Sequence, residues 1–125
     1  MLYIYYMKRF IDTFREEYSL DTRITECIKI RKKYPGRIPI IVSTANKEIV
    51  IDKHKYLVPE DCSFSDFSAV LRKRIKCNLS EGLFYYVGEL QTLPRMSDTI
   101  RSIYTKHKSA DGYLIVCVEK ESTFG

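Results

Sequence analysis

Clustered cysteines and histidines, the usual ligands of structural metal sites, are missing from this chain of 125 residues. A structural zinc site needs Cys and His ligands close together, and a small secreted scaffold needs paired cysteines. Here no CxxC pair occurs, and neither histidine is near a cysteine. This pattern argues against both classes and indicates free thiols in a reducing compartment, with no metal and no cofactor expected. The four cysteines are Cys27, Cys62, Cys77 and Cys117.

The chain also has no long apolar run and no recognisable targeting segment. Its apolar beginning, Met1 to Met7, is too short to cross a membrane. It has no basic region before it and no small-residue cleavage site after it, as a signal peptide would. Together with the unpaired cysteines, this favours a cytoplasmic protein.

Constellations of residues for catalysis are absent from the sequence as well. No Ser/His/Asp set, phosphate-binding glycine loop or metal cluster can be picked out. The sequence therefore does not favour a stand-alone enzyme, and we assign no catalytic residue. No repeat, low-complexity segment or linker divides the chain, so one domain is expected at this length.

What the chain does have is the composition of a globular domain with an excess of positive charge. Hydrophobic residues make up 45% and charged residues 30%, and the net charge is +5. This excess favours acidic partners, namely peptides, anionic lipid or nucleic acid. A basic nucleic-acid-binding domain is one alternative. However, Phe84, Tyr85 and Tyr86 lie in an apolar strand without an RNP-like motif, so no nucleic-acid partner is expected.

Two helices are predicted at the N-terminal end. Apolar residues at roughly helical spacing indicate a short first helix over 10–18. Ser19 is a candidate N-cap for a second helix that runs to about Lys33, where a Pro-Gly pair stops it. We expect one face of this helix to be buried and Ile30, which lies off that face, to be partly exposed. The predicted buried face consists of Leu20, Ile24, Cys27, Ile28 and Arg31.

The rest of the sequence alternates apolar runs with helical patterns in the order ββαβαβ. The first run contains Pro39, which has no N–H, so we expect an edge strand or an outward-facing proline. The third helix is expected from Phe64 to Lys76, and the fourth after an N-cap at Ser97 or Asp98. This order fits an α+β, ubiquitin-like β-grasp fold with two additional N-terminal helices. The predicted strands are 37–43, 49–59, 83–87 and 113–118, the last of them central.

Several blocks of the sequence, taken in order, resemble one known family. The blocks are Lys29–Val42, Lys55–Asp61, Leu71–Ile75, Leu83–Val87, Asp111–Leu114 and the Phe124–Gly125 ending. They resemble the GABARAP and microtubule-associated light-chain family of autophagy-related ubiquitin-like modifiers (family eight). The resemblance implies the β-grasp fold, with 1–13 as an extension and 14–125 as a single ubiquitin-like domain. Within that domain it implies N-terminal helices over 14–34, a core over 35–118 and a C-terminal tail over 119–125.

The resemblance implies that the chain is a conjugation substrate rather than a catalyst. Gly125 would be activated by an E1-like enzyme, passed to an E2-like enzyme and joined to phosphatidylethanolamine, while the partners recognise Phe124. Glycine suits this role because a side chain would obstruct attack at the thioester. Most family members carry further residues that a cysteine protease removes; none follows Gly125 here, so a chain whose native end is Gly125 would be ready for activation without trimming. The same class of protease would cleave the protein from the lipid and so release it from autophagosomal membranes.

The resemblance also implies capture of short peptides from cargo receptors, each with an aromatic residue, two spacers and an aliphatic residue. Such a ligand would add a strand to an open sheet edge while two pockets hold its side chains. The aromatic pocket would be lined by Glu26, Ile30, Pro39, Ile41, Lys55, Leu57 and Tyr113. The aliphatic pocket would use Tyr56, Val58, Pro59, Cys62, Phe67, Val70 and Leu71. Basic contacts to acidic residues of the ligand would come from Arg37, Arg72 and Arg74.

Two points qualify the resemblance. Cys62 replaces a common Leu or Val of the family, which should make its pocket slightly roomier and less apolar. The second point is an alternative function, a ubiquitin-like scaffold that binds peptides but is never conjugated. Replacing Gly125 with alanine and following membrane association distinguishes the two functions, because an unchanged lipid-linked product would reject conjugation through Gly125.

Overall fold

Four helices and six strands lie within the residues that the computed structural model describes, which are 9–44, 49–76 and 82–121. The mixed order of helices and strands confirms the predicted α+β class. None of the described helices is long and apolar enough to cross a membrane. In chain order the elements are α1 (Phe10–Glu17), α2 (Leu20–Lys33), β1 (Arg37–Ser43), β2 (Val50–Ile51), β3 (Lys55–Pro59), α3 (Phe64–Arg74), β4 (Ile75–Lys76), β5 (Leu83–Val87), α4 (Ile100–His107) and β6 (Leu114–Lys120).

The strands form a four-stranded sheet of order β3-β1-β6-β5 and a separate two-stranded pair, β2 and β4. β1 and β6 run parallel, with Ile40 opposite Leu114, whereas β1–β3 and β5–β6 are antiparallel. β6 is a central strand, as predicted, because it pairs on both sides. The single strand predicted over 49–59 is wrong. The chain first pairs with β4 through β2 and then turns to run beside β1 as β3.

The four-stranded sheet buries apolar side chains on both faces. The larger cluster packs beneath α3 and α4, where Phe64, Leu71 and Ile100 are fully buried. The smaller cluster lies under α1 and α2 and includes the buried side chains of Phe14 and Cys27. Neighbouring residues of a strand point to opposite faces, so each strand can contribute to both clusters. The smaller cluster is what attaches the two N-terminal helices to the sheet.

Pro39 is buried in an interior strand of the sheet, so both predicted alternatives, an edge strand and an outward-facing proline, are wrong. The Val42 N–H donates to the His54 carbonyl at 2.7 Å, so Val42 is one of the β1 residues whose backbone groups bond to the β3 side. Because bonded residues alternate along an antiparallel pair, the nitrogen of Pro39 faces the β6 side instead. The ladder with β6 begins only at Ile40. The missing N–H of Pro39 therefore costs the sheet no hydrogen bond.

The helix boundaries follow the predicted caps in part. The Ser19 hydroxyl accepts from the Thr22 N–H at 3.2 Å, which confirms Ser19 as the N-cap of α2. The predicted cap of α4 at Ser97 or Asp98 is wrong, because the hydroxyl of Thr99 caps that helix. α3 ends two residues earlier than predicted, since the chain there extends into β4 to pair with β2.

The buried face predicted for α2 is largely wrong. Of its five residues only Cys27 is buried, whereas Leu20 and Ile28 are 44% and 49% exposed. Ile30 is half-buried, as expected, but it packs against the same cluster as Cys27. α1 and α2 share one face of the sheet, so α2 buries only a narrow stripe. The rest of its apolar residues face outward.

Candidate functional site

The outer edge of β3 is open to a further strand. β3 pairs with β1 on one side, and no strand of the described residues pairs with its other side. Because bonded and non-bonded residues alternate, the N–H groups of Lys55 and Leu57 point away from β1. The Leu57 carbonyl points the same way and meets the Arg37 guanidinium at 3.4 Å. An extended peptide can hydrogen-bond to such outward groups, which is a common mode of recognition at sheet edges.

A groove of about 420 Å³ runs beside this open edge, and we call it the edge groove. Its volume falls within the range of about 300–1,000 Å³ that is typical of ligand sites. Apolar and aromatic side chains are combined with cationic groups around it. Such a surface suits a bulky apolar side chain that has acidic neighbours. The lining residues are Ile30, Arg37, Pro39, Ile40, Lys53, Lys55, Tyr56, Leu57 and Tyr113.

Aromatic packing supports the edge groove from below. Tyr113 is only 2% exposed, and the ring of Phe14 from α1 packs edge-on against it at 5.6 Å. Lys55 Nζ lies 4.7 Å from the Phe14 ring centroid and 3.5 Å from Glu26 Oε1. The Lys55–Glu26 pair is exposed, so it contributes at most about 1 kcal/mol. An acidic residue of a ligand can therefore replace Glu26 as the partner of Lys55.

Two tyrosines that line the groove have buried hydroxyls. The Tyr56 hydroxyl makes no hydrogen bond within the described residues, and burial raises its pKa. Among the described residues the Tyr113 hydroxyl has no hydrogen-bond partner of good geometry either, although the Glu26 carboxylate is near enough to act on it. Burial, with a smaller effect from Glu26, raises the pKa of Tyr113. Both hydroxyls stay protonated at neutral pH. With no partner among the described residues, the buried donor of Tyr56 costs about 1–3 kcal/mol.

The residues predicted for the aliphatic pocket lie around β3 and α3, but most of them belong to the main core. Tyr56 packs edge-on against Phe67 at 5.8 Å, and Phe67 and Leu71 are 2% and 0% exposed. Val70 is 50% exposed and so offers apolar surface here. An aliphatic side chain of a ligand can therefore rest on Val70, Pro59 and Cys62 without displacing core contacts. The other predicted members are Val58, which is buried, Cys62, which is half-buried, and Pro59, which is exposed.

The predicted basic contacts do not form one cluster. Arg37 lines the edge groove, whereas Arg72 and Arg74 lie in the last turn of α3. Arg74 Nη1 is 3.8 Å from Asp52 Oδ1, a loose and exposed ion pair that contributes little. A bound peptide would therefore meet Arg37 at the groove and the other two cations only where it passes α3.

The edge groove contains five of the seven residues predicted for the aromatic pocket. The other two lie nearby: Ile41 is fully buried, and Glu26 reaches the rim through Lys55. Sequence reasoning missed Lys53, although strand alternation could have suggested it two residues before Lys55. It also missed Phe14, because α1 is distant in the chain from the strands that form the groove and no local pattern indicates that the two meet. The five residues brought together are Ile30, Pro39, Lys55, Leu57 and Tyr113.

The predicted conjugation residues, Phe124 and Gly125, lie outside the described residues. The last described residue is Glu121, whose N–H donates to the Gly82 carbonyl at 3.0 Å. This contact lies next to β5, at the side of the sheet farthest from β3. The chain therefore reaches residue 121 well away from the edge groove.

These features define a class of protein. The sheet is mixed and has the order β3-β1-β6-β5, α3 packs across one of its faces, and two helices precede β1. This is the fold of a ubiquitin-like protein with two additional N-terminal helices. Comparison with family models agrees, since residues 22–125 match the model described as "Autophagy protein Atg8 ubiquitin like". The chain belongs to the Atg8 family of autophagy ubiquitin-like proteins.

Individual relatives support the same assignment. Autophagy-related protein 8 of Schizosaccharomyces pombe is 41% identical over 114 residues, which cover 90% of this chain and 93% of the relative. Autophagy-related protein 8d of Arabidopsis thaliana is 42% identical over 117 residues, covering 92% and 96%. Among solved structures, Trypanosoma brucei ATG8 matches with a TM-score of 0.78 at 33% identity, covering 90% of this chain and 97% of that one.

A further solved structure contains a bound peptide. Plasmodium falciparum Atg8, in complex with a Plasmodium falciparum Atg3 peptide, matches with a TM-score of 0.74 at 26% identity. The match covers 85% of this chain and 94% of the Plasmodium chain. These structural matches confirm the ubiquitin-like fold of the present chain.

Proposed function

We propose that this protein is an autophagy modifier that binds short peptides at the β3 edge and is conjugated through Gly125 to phosphatidylethanolamine. The observation that carries peptide binding is the open edge beside an apolar groove rimmed by Arg37, Lys53 and Lys55. A strand added there gains main-chain hydrogen bonds while its aromatic side chain enters the edge groove. The rim cations attract acidic neighbours and raise the association rate more than the affinity.

The outward N–H of Leu57 offers a direct test, because it can be removed without breaking a bond to β1. Leu57→Pro deletes this donor, and proline is tolerated where an edge N–H faces away from the sheet. Leu57→Ala removes the side chain but keeps the donor, so it is the matched control. With an aromatic-x-x-aliphatic peptide that has acidic flanks, we expect Leu57→Pro to raise Kd about tenfold more than Leu57→Ala does in calorimetry.

Melting temperatures of both variants verify that each remains folded. Equal Kd values for Leu57→Pro and Leu57→Ala would contradict strand addition, and a wild-type Kd for both would remove the β3 edge from the function. Tyr56 and Val58 are poorer targets, because both side chains are buried in the main core and their loss would lower stability as well.

Conjugation would depend on partner proteins, because we assign the chain itself no catalytic residue. The proposed partners are E1-like and E2-like enzymes, a delipidating cysteine protease, cargo receptors with short linear motifs, and a membrane containing phosphatidylethanolamine. The Atg3 peptide bound to the related Plasmodium protein supports an E2-like partner. The unmodified form would be cytoplasmic, and the lipid-linked form would lie on the autophagosomal membrane.

Gly125→Ala should prevent formation of the lipid-linked product, because the added methyl group obstructs attack at the thioester. Ser122→Ala, in the same tail, is the control and should conjugate normally. The measurement is the mass of the C-terminal peptide after reaction with the conjugation enzymes and phosphatidylethanolamine vesicles. A phospholipid adduct on Gly125→Ala at the wild-type yield would contradict the proposed attachment site. No adduct on the wild-type chain would favour the non-conjugated peptide-binding scaffold.

Two finer assignments complete the proposal. Within the Atg8 family, the block Lys29–Val42 supports a likeness to GABARAP and the light-chain members. Residues 1–13 would be an extension ahead of the single domain 14–125. Because α1 begins at Phe10, that extension would include the first turn of the helix.

A further inference from the structure

The side of α2 that faces away from the edge groove borders a second concave surface of about 550 Å³. It lies between α2 and the end of α4, and we call it the α2–α4 hollow. Apolar residues form much of its lining, among them Ile24, Ile28 and Tyr104. Ile28 is 49% exposed, so this apolar surface faces solvent rather than the core. A concave apolar surface that the protein leaves uncovered is a candidate contact for a partner.

The hollow also carries positive charge that the described residues do not neutralise. Arg31, Lys32 and Lys108 line it, and neither Lys32 nor Lys108 forms an ion pair with any described residue. Among the described residues, Asp111 is the one carboxylate in the lining, and its side chain is fully buried. Asp111 already accepts from the Arg23 guanidinium at 2.8 Å. The surface therefore presents cations in excess around an apolar base.

A fixed aromatic ring lies within cation–π distance of two of these cations. The Tyr104 hydroxyl donates to the Gly112 carbonyl at 2.7 Å, which fixes the position of the ring. The Arg31 guanidinium carbon lies 5.2 Å and Lys108 Nζ 5.5 Å from the ring centroid. Arg31 donates one N–H to the Arg37 carbonyl at 2.8 Å and keeps other donors for a ligand. Partial ordering before binding lowers the entropy that a ligand must overcome.

The ends of two helices determine which kind of anion suits the hollow. α2 ends at Lys33 and α4 at His107, and residues just beyond both ends line the hollow. Helix C-termini carry partial negative charge, which repels a small anion held against the backbone. The cationic nitrogens, by contrast, stand at the tips of long side chains above apolar surface. This arrangement favours carboxylates on flexible side chains over inorganic phosphate or a lipid phosphate.

We propose that the α2–α4 hollow is a second protein-binding site, which takes an acidic peptide segment that contains a bulky aliphatic residue. The aliphatic side chain packs on Ile28 and Tyr104 while the flanking carboxylates meet Lys32 and Lys108. This site lies on the opposite side of α2 from the edge groove, so the two can be occupied together. The proposal does not depend on peptide binding at the β3 edge.

The test uses the full chain labelled with ¹⁵N and a short acetylated peptide of glutamates interrupted by leucines. We expect saturable amide shifts at Ile28, Lys32 and Gly112, and a dissociation constant raised about tenfold by Lys32→Glu with Lys108→Glu. The matched control is Lys29→Glu with Lys106→Glu, which changes the net charge equally at exposed positions outside the hollow. The control should retain most of the affinity.

Several outcomes would overturn the proposal. Equal weakening by the two double variants would indicate unspecific attraction to positive charge, and shifts confined to the edge groove would assign the peptide to that site. Equal binding of the same peptide with glutamines in place of glutamates would remove the role of the cations. Vesicles of anionic lipid that bind through Lys32 and Lys108, with no saturable peptide binding, would identify a membrane contact instead. Leu57→Pro should leave this binding unchanged, which keeps the result separate from the proposed function.

Discussion

At the scale of single residues, Gly112 is constrained by both its backbone and its surroundings. Its φ of +94° lies in the left-handed region that glycine adopts readily. A Cβ at this position would lie 2.8 Å from Cys27 Sγ, closer than real Cβ contacts come. Burial raises the pKa of Cys27 to about 11, so its thiol is neutral at physiological pH and acts as a packing group. Gly112 thus allows the loop before β6 to approach α2.

Gly112→Ala should lower the free energy of unfolding by about 2–3 kcal/mol, because backbone strain and overpacking against Cys27 act together. Gly36→Ala is a useful comparison, since Gly36 has a φ of +83° but a Cβ added there would meet no atom within 4 Å. It should lose only the backbone contribution, about 1 kcal/mol. Urea denaturation measures both values, and equal losses would show that the contact with Cys27 has no cost. In a Cys27→Ala background, Gly112→Ala should cost only the backbone contribution, because the Sγ that the added Cβ meets is gone.

At the scale of elements, α1 contributes to the candidate site as well as to stability. Its Ile11 N–H donates to the Ser43 hydroxyl of β1 at 3.3 Å, which attaches the helix to the sheet. Phe14 then contacts both Tyr113 and Lys55 beneath and beside the edge groove. α1 therefore helps to hold two groove residues that come from different strands or loops. A helix outside the β-grasp core thus shapes the surface that the β3 edge offers to a ligand.

Phe14→Ala should destabilise the protein by about 3 kcal/mol and also weaken peptide binding at the edge groove. The affinity falls because Tyr113 and Lys55 both lose the ring that positions them. Phe10→Ala is the control on the same helix, since the Phe10 ring stacks on His54 at 4.2 Å and is only half-buried. It should cost less stability and leave Kd unchanged. Urea denaturation and calorimetry measure the two effects. A wild-type Kd for folded Phe14→Ala would show that α1 does not support the groove.

At the scale of the whole molecule, α2 separates two concave surfaces of similar character. Ile30 lines the edge groove on one side, while Ile28 lines the α2–α4 hollow on the other. The apolar residues of this helix therefore serve two surfaces, which explains why a single buried face did not describe it. Cationic side chains border both concavities, so part of the net charge of +5 lies where acidic ligands would approach.

Much of the fold could be predicted from local patterns. The order of helices and strands, the Ser19 N-cap and the central position of β6 depend on periodicity, capping chemistry and continuous burial, which short stretches of sequence carry. The errors have a common origin. The division of 49–59 into two strands and the early end of α3 both follow from pairing between β2 and β4, which are distant in the chain.

Part of the candidate site could likewise be predicted from the sequence, and part of it only from the folded structure. The chain alone, through its resemblance to one family, was enough to name Ile30, Leu57 and Tyr113 as residues for one pocket. Folding was needed to show that β3 is the open edge, because strand order depends on long-range pairing that no local pattern encodes. The α2–α4 hollow had no sequence signal at all, since its residues from 24–36 and 104–112 meet only after the chain has packed. The sequence determines which apolar and charged side chains the protein has, and tertiary packing determines which of them remain exposed and lie next to each other.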